Sequence, residues 1–432
     1  MSNRDAKVRP RRSAGGASGA SRTGPGPAPG NDPAAPILTG GQPGAAARAA
    51  ADPEPSAAGR PEPSAAGRPE PSAAGRPEPA AGGRPVVAVT GAARDLGHAL
   101  ATQLAGSPRI GRIVAIDDHR GEARGVTWRV VDIRDPALAG RLAGVDVVVH
   151  TDLDLSPDSD ARARRAFNVR GAQTVLTAAA AGGVSRVVLI TSAMVYGARP
   201  DNRVPLPEDA PLDADPNGGV AGDLLEIEYL AQRSARAHPG LAVTVVRPAA
   251  LVGEGIDTFI TRHFEAPRLL TVKGCAMRWQ FCHIDDLVSA LELAAAGEVA
   301  GAFAVGCDHW LEQDEVEELC GLRRVELPAG LTFATVQRLH RAGITPAPDT
   351  DLHFVVYPWV ADCQALREAG WRPEYDNAAA LEVLLAQRSG HHAVAGRRLD
   401  RKDAAITAAG ATVAVIGSAA IVRAARRRRR ES

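Results

Sequence analysis

Residues 85–105, PVVAVTGAARDLGHALATQLA, constrain the fold of this chain more than any other stretch. Val86, Val87, Ala88 and Val89 form an apolar run without polar alternation, the pattern of a strand buried on both faces. Thr90 to Gly97 then turn the chain, and Leu96, Leu100 and Leu104 follow at fourfold spacing, one face of a helix. A strand, a glycine-bearing turn and a helix start bring unpaired N–H groups and the positive end of the helix dipole to one point. That is an anion site, and a dinucleotide pyrophosphate is the anion it suits. Glycines at a strand end, taken alone, also fit an ordinary turn.

The chain beyond repeats the pattern. Arg112–Ile116 reads as a second buried strand ending in Asp117 and Asp118, Val126–Val131 as a third closing on Asp132, and Val145–His150 as a fourth. Arg164–Ala181 is an Ala-rich helix stopped by Gly182 and Gly183. Arg186–Ser192 is a fifth strand, Asp223–Ala237 a helix, and Val243–Pro248 a sixth strand. Strands alternating with helices at this spacing predict an α/β fold, a Rossmann-type doubly wound parallel sheet with ligands beyond the carboxyl ends of its strands. Asp117, 26 residues past Gly91, stands where an acid accepts hydrogen bonds from an adenosine ribose. A carboxylate there repels a 2′-phosphate and favours NAD over NADP, although Arg120 weakens that preference and a plain surface-turn acid is the alternative.

Composition divides the 432 residues into three parts. Residues 1–84 have almost no large apolar side chains and end in four copies of an eight-residue unit, PEPSAAGR three times and then PEPAAGGR. Such a segment cannot bury enough apolar surface to offset its ordering entropy, so a disordered N-terminal arm is expected. The zero net charge hides a segregation: +4 over residues 1–84, −11 over 85–395 and +7 over 396–432. In the basic tail, 404–422 is an uncharged run of 19 residues, including eight alanines and six Ile or Val, flanked by arginines. It is just long enough to span a bilayer, yet its insertion energy is small and the arginines beyond it oppose translocation. A helix lying on an anionic membrane, a marginal tail anchor and an exposed Ala-rich helix all remain open. No apolar secretory segment is found at the N-terminus, which points to a cytoplasmic protein, with membrane association through the tail left open. The five cysteines, Cys275, Cys282, Cys307, Cys320 and Cys363, are scattered without a CxxC pair, as idle thiols would be. No metal spacing and no nucleic-acid-binding motif is found.

Taken together, the motifs resemble the NAD-dependent epimerase/dehydratase family of extended short-chain dehydrogenases/reductases, over Val86–Gly306. The resemblance rests on the TGxxGxxG-like turn with Gly91, Arg94 and Gly97, on Asp117, and on Asp132-Ile133, which in the family faces the adenine. Asn168-Val169-Arg170-Gly171, Thr191-Ser192-Ala193-Met194-Val195-Tyr196-Gly197, Arg247-Pro248 with Val252-Gly253, and His283-Ile284-Asp285-Asp286-Leu287 match further family segments in order. The resemblance implies an NAD cofactor held by Gly91, Arg94, Gly97, Asp117, Asp132, Ile133, Asn168 and Pro248. It also implies a small-molecule substrate such as a sugar nucleotide, with a homodimer left open. Ser192 stands where the family polarises a substrate oxygen. A smaller C-terminal substrate lobe, from Phe264–Asp286 and Ala302–Trp371, completes the expected domain over 85–395.

The family's chemistry uses a tyrosine phenol as acid or base, its pKa lowered by a lysine one helical turn later. Anchoring on Leu225-Glu226-Ile227-Glu228 puts Val220 at the tyrosine and Leu224 at the lysine, so both groups are missing. None of the four tyrosines has a lysine four residues on, and Tyr229 with Arg233 lies about 13 Å too far along the helix. Arg94 replaces a glycine of the phosphate turn, where it either clamps a phosphate or obstructs it. Asp152 brings negative charge toward the cofactor, which is unfavourable unless paired. Two readings follow: an atypical epimerase or oxidoreductase with Ser192 at its centre, or a non-catalytic dinucleotide-binding sensor or membrane-tethered scaffold. Trp279, Trp310, Trp359 and Trp371 read as core more readily than as pocket wall, and His283 as structural.

Overall fold

A computed structural model describes residues 83–341, 349–387, 392–394 and 397–399. The PEPSAAGR arm and the 404–422 segment lie outside the described residues. No helix among the described residues is long and apolar enough to cross a membrane.

Six parallel strands follow the expected order with small shifts of boundary: β1 (Val86–Thr90), β2 (Arg112–Asp117), β3 (Thr127–Val130), β4 (Val147–His150), β5 (Arg186–Ile190) and β6 (Ala242–Pro248). The sheet runs β3-β2-β1-β4-β5-β6 and ends with a seventh parallel strand, β7 (Ala302–Val305). That strand corrects the expectation that 302–305 belongs to the smaller lobe. Ala302, Phe303, Ala304 and Val305 are apolar and lie opposite Val245–Pro248, so they extend the main sheet.

Alternate residues of β1 enter opposite cores, as pleating requires. Val87 and Val89 pack with Leu100 and Leu104 of α1 (Asp95–Gly106). Ala88 packs on the other side with Val175 and Leu176, which belong to the long helix Ala161–Ala181. Each leucine or valine so buried contributes about 1.5–3 kcal/mol, which is why the unbroken apolar runs of the sequence become the sheet's centre. With the four-residue α2 (Leu138–Arg141) between them, that long helix is α3; the next is α4 (Gly219–Ala237). Helix α3 begins three residues earlier than expected because the Asp160 side chain caps it, accepting from the Ala163 N–H.

Beyond β6 the chain builds α5 (Phe259–Glu265), α6 (Ile284–Ala296) and four small strand pairs. Trp279 is 1 % exposed and packs against Phe264 and Phe281, with ring centroids 4.9 and 6.1 Å away. Trp279 is therefore core. His283 caps α6 by accepting from the Asp285 N–H and stacks on Tyr375 at 3.7 Å, which is a structural role. All five cysteines are free thiols.

Candidate functional site

The carboxyl ends of β1, β4, β5 and β6 surround a cavity of about 500 Å³, closed on the far side by residues 255–260. Its floor is the turn between β1 and α1. Gly91 has φ +71°, in the left-handed region that glycine adopts without strain. A Cβ on Gly97 would lie 2.0 Å from the Gly91 carbonyl oxygen, so the helix meets the turn too closely for any side chain. Helix α1 has no side-chain cap, and Arg94, Asp95, Leu96 and Gly97 at its start all line the cavity. Leu96, expected in the core, is half-buried at this wall, while Leu100 and Leu104 fill the core.

Asp117, fully buried at the end of β2, accepts from the Ala93 N–H at 2.9 Å and the Asp118 N–H at 2.8 Å. Burial pushes its carboxyl above the usual range, against these two hydrogen bonds. Arg94 does not stand free at the turn. Its Nη2 lies 3.4 Å from Asp118 and 3.7 Å from Asp117, and its Nε lies 3.1 Å from Asp152 Oδ1. Asp152 is thus paired by charge, although its buried Oδ1 makes no hydrogen bond. Burial nevertheless pushes its carboxyl up to about 7, because the partly exposed guanidinium offsets only part of the desolvation and the neighbouring acids add to it.

Ser192 and Pro248 line the cavity beside Arg94 and Gly97. The Ser192 hydroxyl is already engaged: it donates to the Pro248 carbonyl at 3.2 Å and accepts from the Met194 N–H at 3.2 Å. The other expected site residues stand behind the wall. Asn168 is fully buried and holds the backbone of Asp154, whose residue lines the cavity, through both ends of its amide. Ile133 is core and packs on Gly171, where a Cβ would come within 2.5 Å of its Cδ1. Asp132 lies beyond β3 and is bound by Arg134, which holds its carboxyl below the usual range. Gly91 and Asp117 reach the cavity only through Arg94 and Asp152.

Helix α4 starts at Gly219, four residues before the expected Asp223. Asp223 is an interior residue, buried against Arg164 and Arg165 of α3 at 2.9 and 3.2 Å. The early start puts Val220 in the first turn and in the cavity wall, with Leu224 fully buried one turn later. None of the four tyrosines lines the cavity. The Tyr196 hydroxyl donates to the Glu208 carbonyl and accepts from Arg247. Tyr229 is 37 % exposed, and its would-be partner Arg233 is bound to Glu226. No lysine among the described residues reaches the cavity.

Sequence reasoning missed the clamp that closes the far wall. Arg262, 2 % exposed, binds Asp158 and Asp257 with both carboxylates in fork geometry, from 2.5 to 2.8 Å. It ties the loop after β4 to the segment before α5. An arginine 104 residues from its partner leaves no local trace; the Ser-Pro-Asp at 156–158 signals only a turn.

Comparison with known proteins agrees with this geometry. The family model described as NAD dependent epimerase/dehydratase family matches residues 87–306. A protein of Mycobacterium tuberculosis is 33% identical over 313 residues, 69% of this chain and 82% of the relative. The chain belongs to the NAD-dependent epimerase/dehydratase family. Among family relatives, the dTDP-glucose 4,6-dehydratase of Streptomyces niveus is 31% identical over 180 residues, 39% of this chain and 51% of that enzyme. The solved structure of MoeE5 in complex with UDP-glucuronic acid and NAD superposes with a TM-score of 0.54 at 25% identity, covering 70% of this chain and 99% of MoeE5. The dTDP-glucose 4,6-dehydratase DesIV of Streptomyces venezuelae, solved with NAD, has the same fold with a TM-score of 0.53 at 24% identity, covering 70% and 96%.

The residues of this epimerase/dehydratase-family chain fit a dinucleotide. The glycine cradle has no room for a side chain, the uncapped start of α1 faces the cavity, and a buried acid ends β2. The fit has one departure, the Arg94–Asp152 pair across the turn.

Proposed function

We propose that this chain binds NAD in preference to NADP and holds a sugar nucleotide or similar small hydroxyl or carbonyl compound in the adjoining cavity, without running the family's tyrosine-lysine proton transfer. Val220 carries the reading: an isopropyl group stands in the cavity wall beside Ser192, and Leu224 is fully buried one turn behind it. A valine neither gives nor takes a proton, and a buried leucine supplies no charge to lower a phenol's pKa. NAD, when bound, supplies a hydride acceptor. Gly91 and Gly97 allow its close approach, the start of α1 offers N–H groups to its phosphates, and Asp117 takes the ribose. Each Asp117 oxygen accepts one N–H and keeps a lone pair for a hydroxyl. Ser192 binds rather than reacts, because its hydroxyl is engaged at both donor and acceptor positions. A cofactor-dependent binding protein, or sensor, is the function these groups support best.

The test is calorimetric titration of the full chain with NAD and NADP, followed by incubation with UDP- and dTDP-sugars. Saturable NAD binding, tighter than NADP, with no change in sugar configuration or oxidation state is the expected result. Turnover of any of these sugars at an ordinary enzyme rate refutes the non-catalytic reading. Absence of binding to either dinucleotide refutes the cofactor reading.

A further inference from the structure

We infer that Asp152 sets the affinity of this chain for a dinucleotide, because its carboxylate holds the Arg94 guanidinium at the place the ligand's phosphates must take. The inference rests on the dinucleotide reading above. Asp152 is 3 % exposed and packed directly on the phosphate turn: a Cβ on Gly91 would lie 2.9 Å from the Asp152 Cα. From there its Oδ1 reaches Arg94 Nε at 3.1 Å, and both side chains line the cavity with Gly97. The carboxylate is therefore an internal anion at the start of α1, held where the helix dipole and N–H groups attract anions.

The charges around it make the competition sharp. Arg94 faces Asp152 from the turn before α1, with Asp95 in the first turn of the helix. Asp117 and Asp118 face it from the end of β2, Asp132 from beyond β3, and Asp154 lies two residues on in its own loop. His119 is hydrogen-bonded to Asp118, and Arg134 is committed to Asp132. Arg94 is therefore the cation nearest the turn, and three carboxylates share it. An incoming pyrophosphate must draw Arg94 from Asp152, and the carboxylate left behind in a buried site repels the ligand unless it takes up a proton. Its carboxyl sits near 7, so this proton is available at neutral pH. The sign follows: below pH 7 Asp152 is mostly neutral, Arg94 is released to the phosphates, and binding tightens. Above pH 7 the pair is ionised and binding weakens.

The experiment is NAD titration of the full chain by calorimetry at pH 6, 7 and 8, native against Asp152→Asn and His119→Gln. A group titrating near 7 is about nine-tenths protonated at pH 6 and about one-tenth at pH 8. The native affinity is thus expected to fall about tenfold from pH 6 to pH 8. Asp152→Asn keeps the shape and removes the charge; it is expected to bind at pH 8 at least as tightly as the native chain at pH 6, with a flat profile. His119→Gln is expected to keep the native slope. A native profile that is already flat overturns the inference without any variant, so a misfolded Asn variant leaves the test intact. Equal binding by native and Asp152→Asn at pH 8, or loss of the slope in His119→Gln, also overturns it while the dinucleotide reading stands. Failure of native and Asn chains alike to bind NAD at every pH refutes the dinucleotide reading itself, and this inference falls with it.

Discussion

Glu228 and Arg247 join α4 to the end of β6 immediately behind the cavity wall. Glu228 is 1 % exposed and accepts from Arg247 Nε and Nη2, both at 2.9 Å, and from the Thr191 hydroxyl at 2.8 Å. Replacing it by alanine leaves a guanidinium that is 5 % exposed with only the Tyr196 hydroxyl and the Glu208 carbonyl on its Nη1. Removing one partner of such a buried pair costs about 3–5 kcal/mol, because the remaining charge keeps its desolvation penalty and loses its counter-charge. Glu228→Ala is therefore expected to lower unfolding free energy by about 4 kcal/mol. Urea denaturation of the full chain, followed by tryptophan fluorescence, measures this. The double variant Glu228→Met with Arg247→Met removes both charges and keeps the volume, and should recover at least half of the loss. A single-variant loss below about 1 kcal/mol, or a double variant as unstable as the sum of the singles, would falsify the assignment of this pair as a buried, mutually dependent unit.

Three further outcomes are expected. Gly97→Ala places a Cβ 2.0 Å from the Gly91 carbonyl oxygen, so the turn must open; stability should drop by about 1–3 kcal/mol and NAD affinity with it, and a variant with native values in both assays contradicts the cradle. Asp117→Ala removes the ribose acceptor and should weaken NAD about tenfold, the value of one good hydrogen bond; an unchanged titration shows that the ribose is held elsewhere. His150 is fully buried, with Nδ1 within 2.8 Å of the Thr90 hydroxyl and Nε2 without a hydrogen-bond partner. Burial lowers its pKa to about 4, below the unfolded value of about 6.5, so its contribution is whole above pH 6.5 and is lost as pH falls toward 4. Between pH 7.5 and pH 5 the native chain should lose about 2 kcal/mol more than His150→Gln, read from urea midpoints; parallel profiles would show that His150 takes up its proton equally in the folded and unfolded states, refuting the lowered pKa.

The sheet was legible because its information is local. Val86–Val89, Arg112–Ile116 and Val145–His150 are uninterrupted apolar runs, and only a strand covered on both faces uses them. The glycine turn, the acid ending β2 and the absence of a tyrosine-lysine pair in α4 were likewise fixed by residue identity and spacing. What the tertiary structure decided lies between residues far apart in the chain. The pairing of Arg94 with Asp152 spans 58 positions, and one-dimensional pattern carries no record of which charge will meet which. The start of α4 moved to Gly219 because packing decides where a helix begins when no capping side chain does. Ala302–Val305 joined the main sheet because β6 offered a free edge of matching register. The hydrogen bond from the Ser192 hydroxyl to the Pro248 carbonyl likewise joins residues 56 positions apart. Periodicity and composition thus set the layers of this protein, while the balance of charge at its phosphate turn was set by the fold, which brings three carboxylates from the ends of β2 and β4 around one arginine.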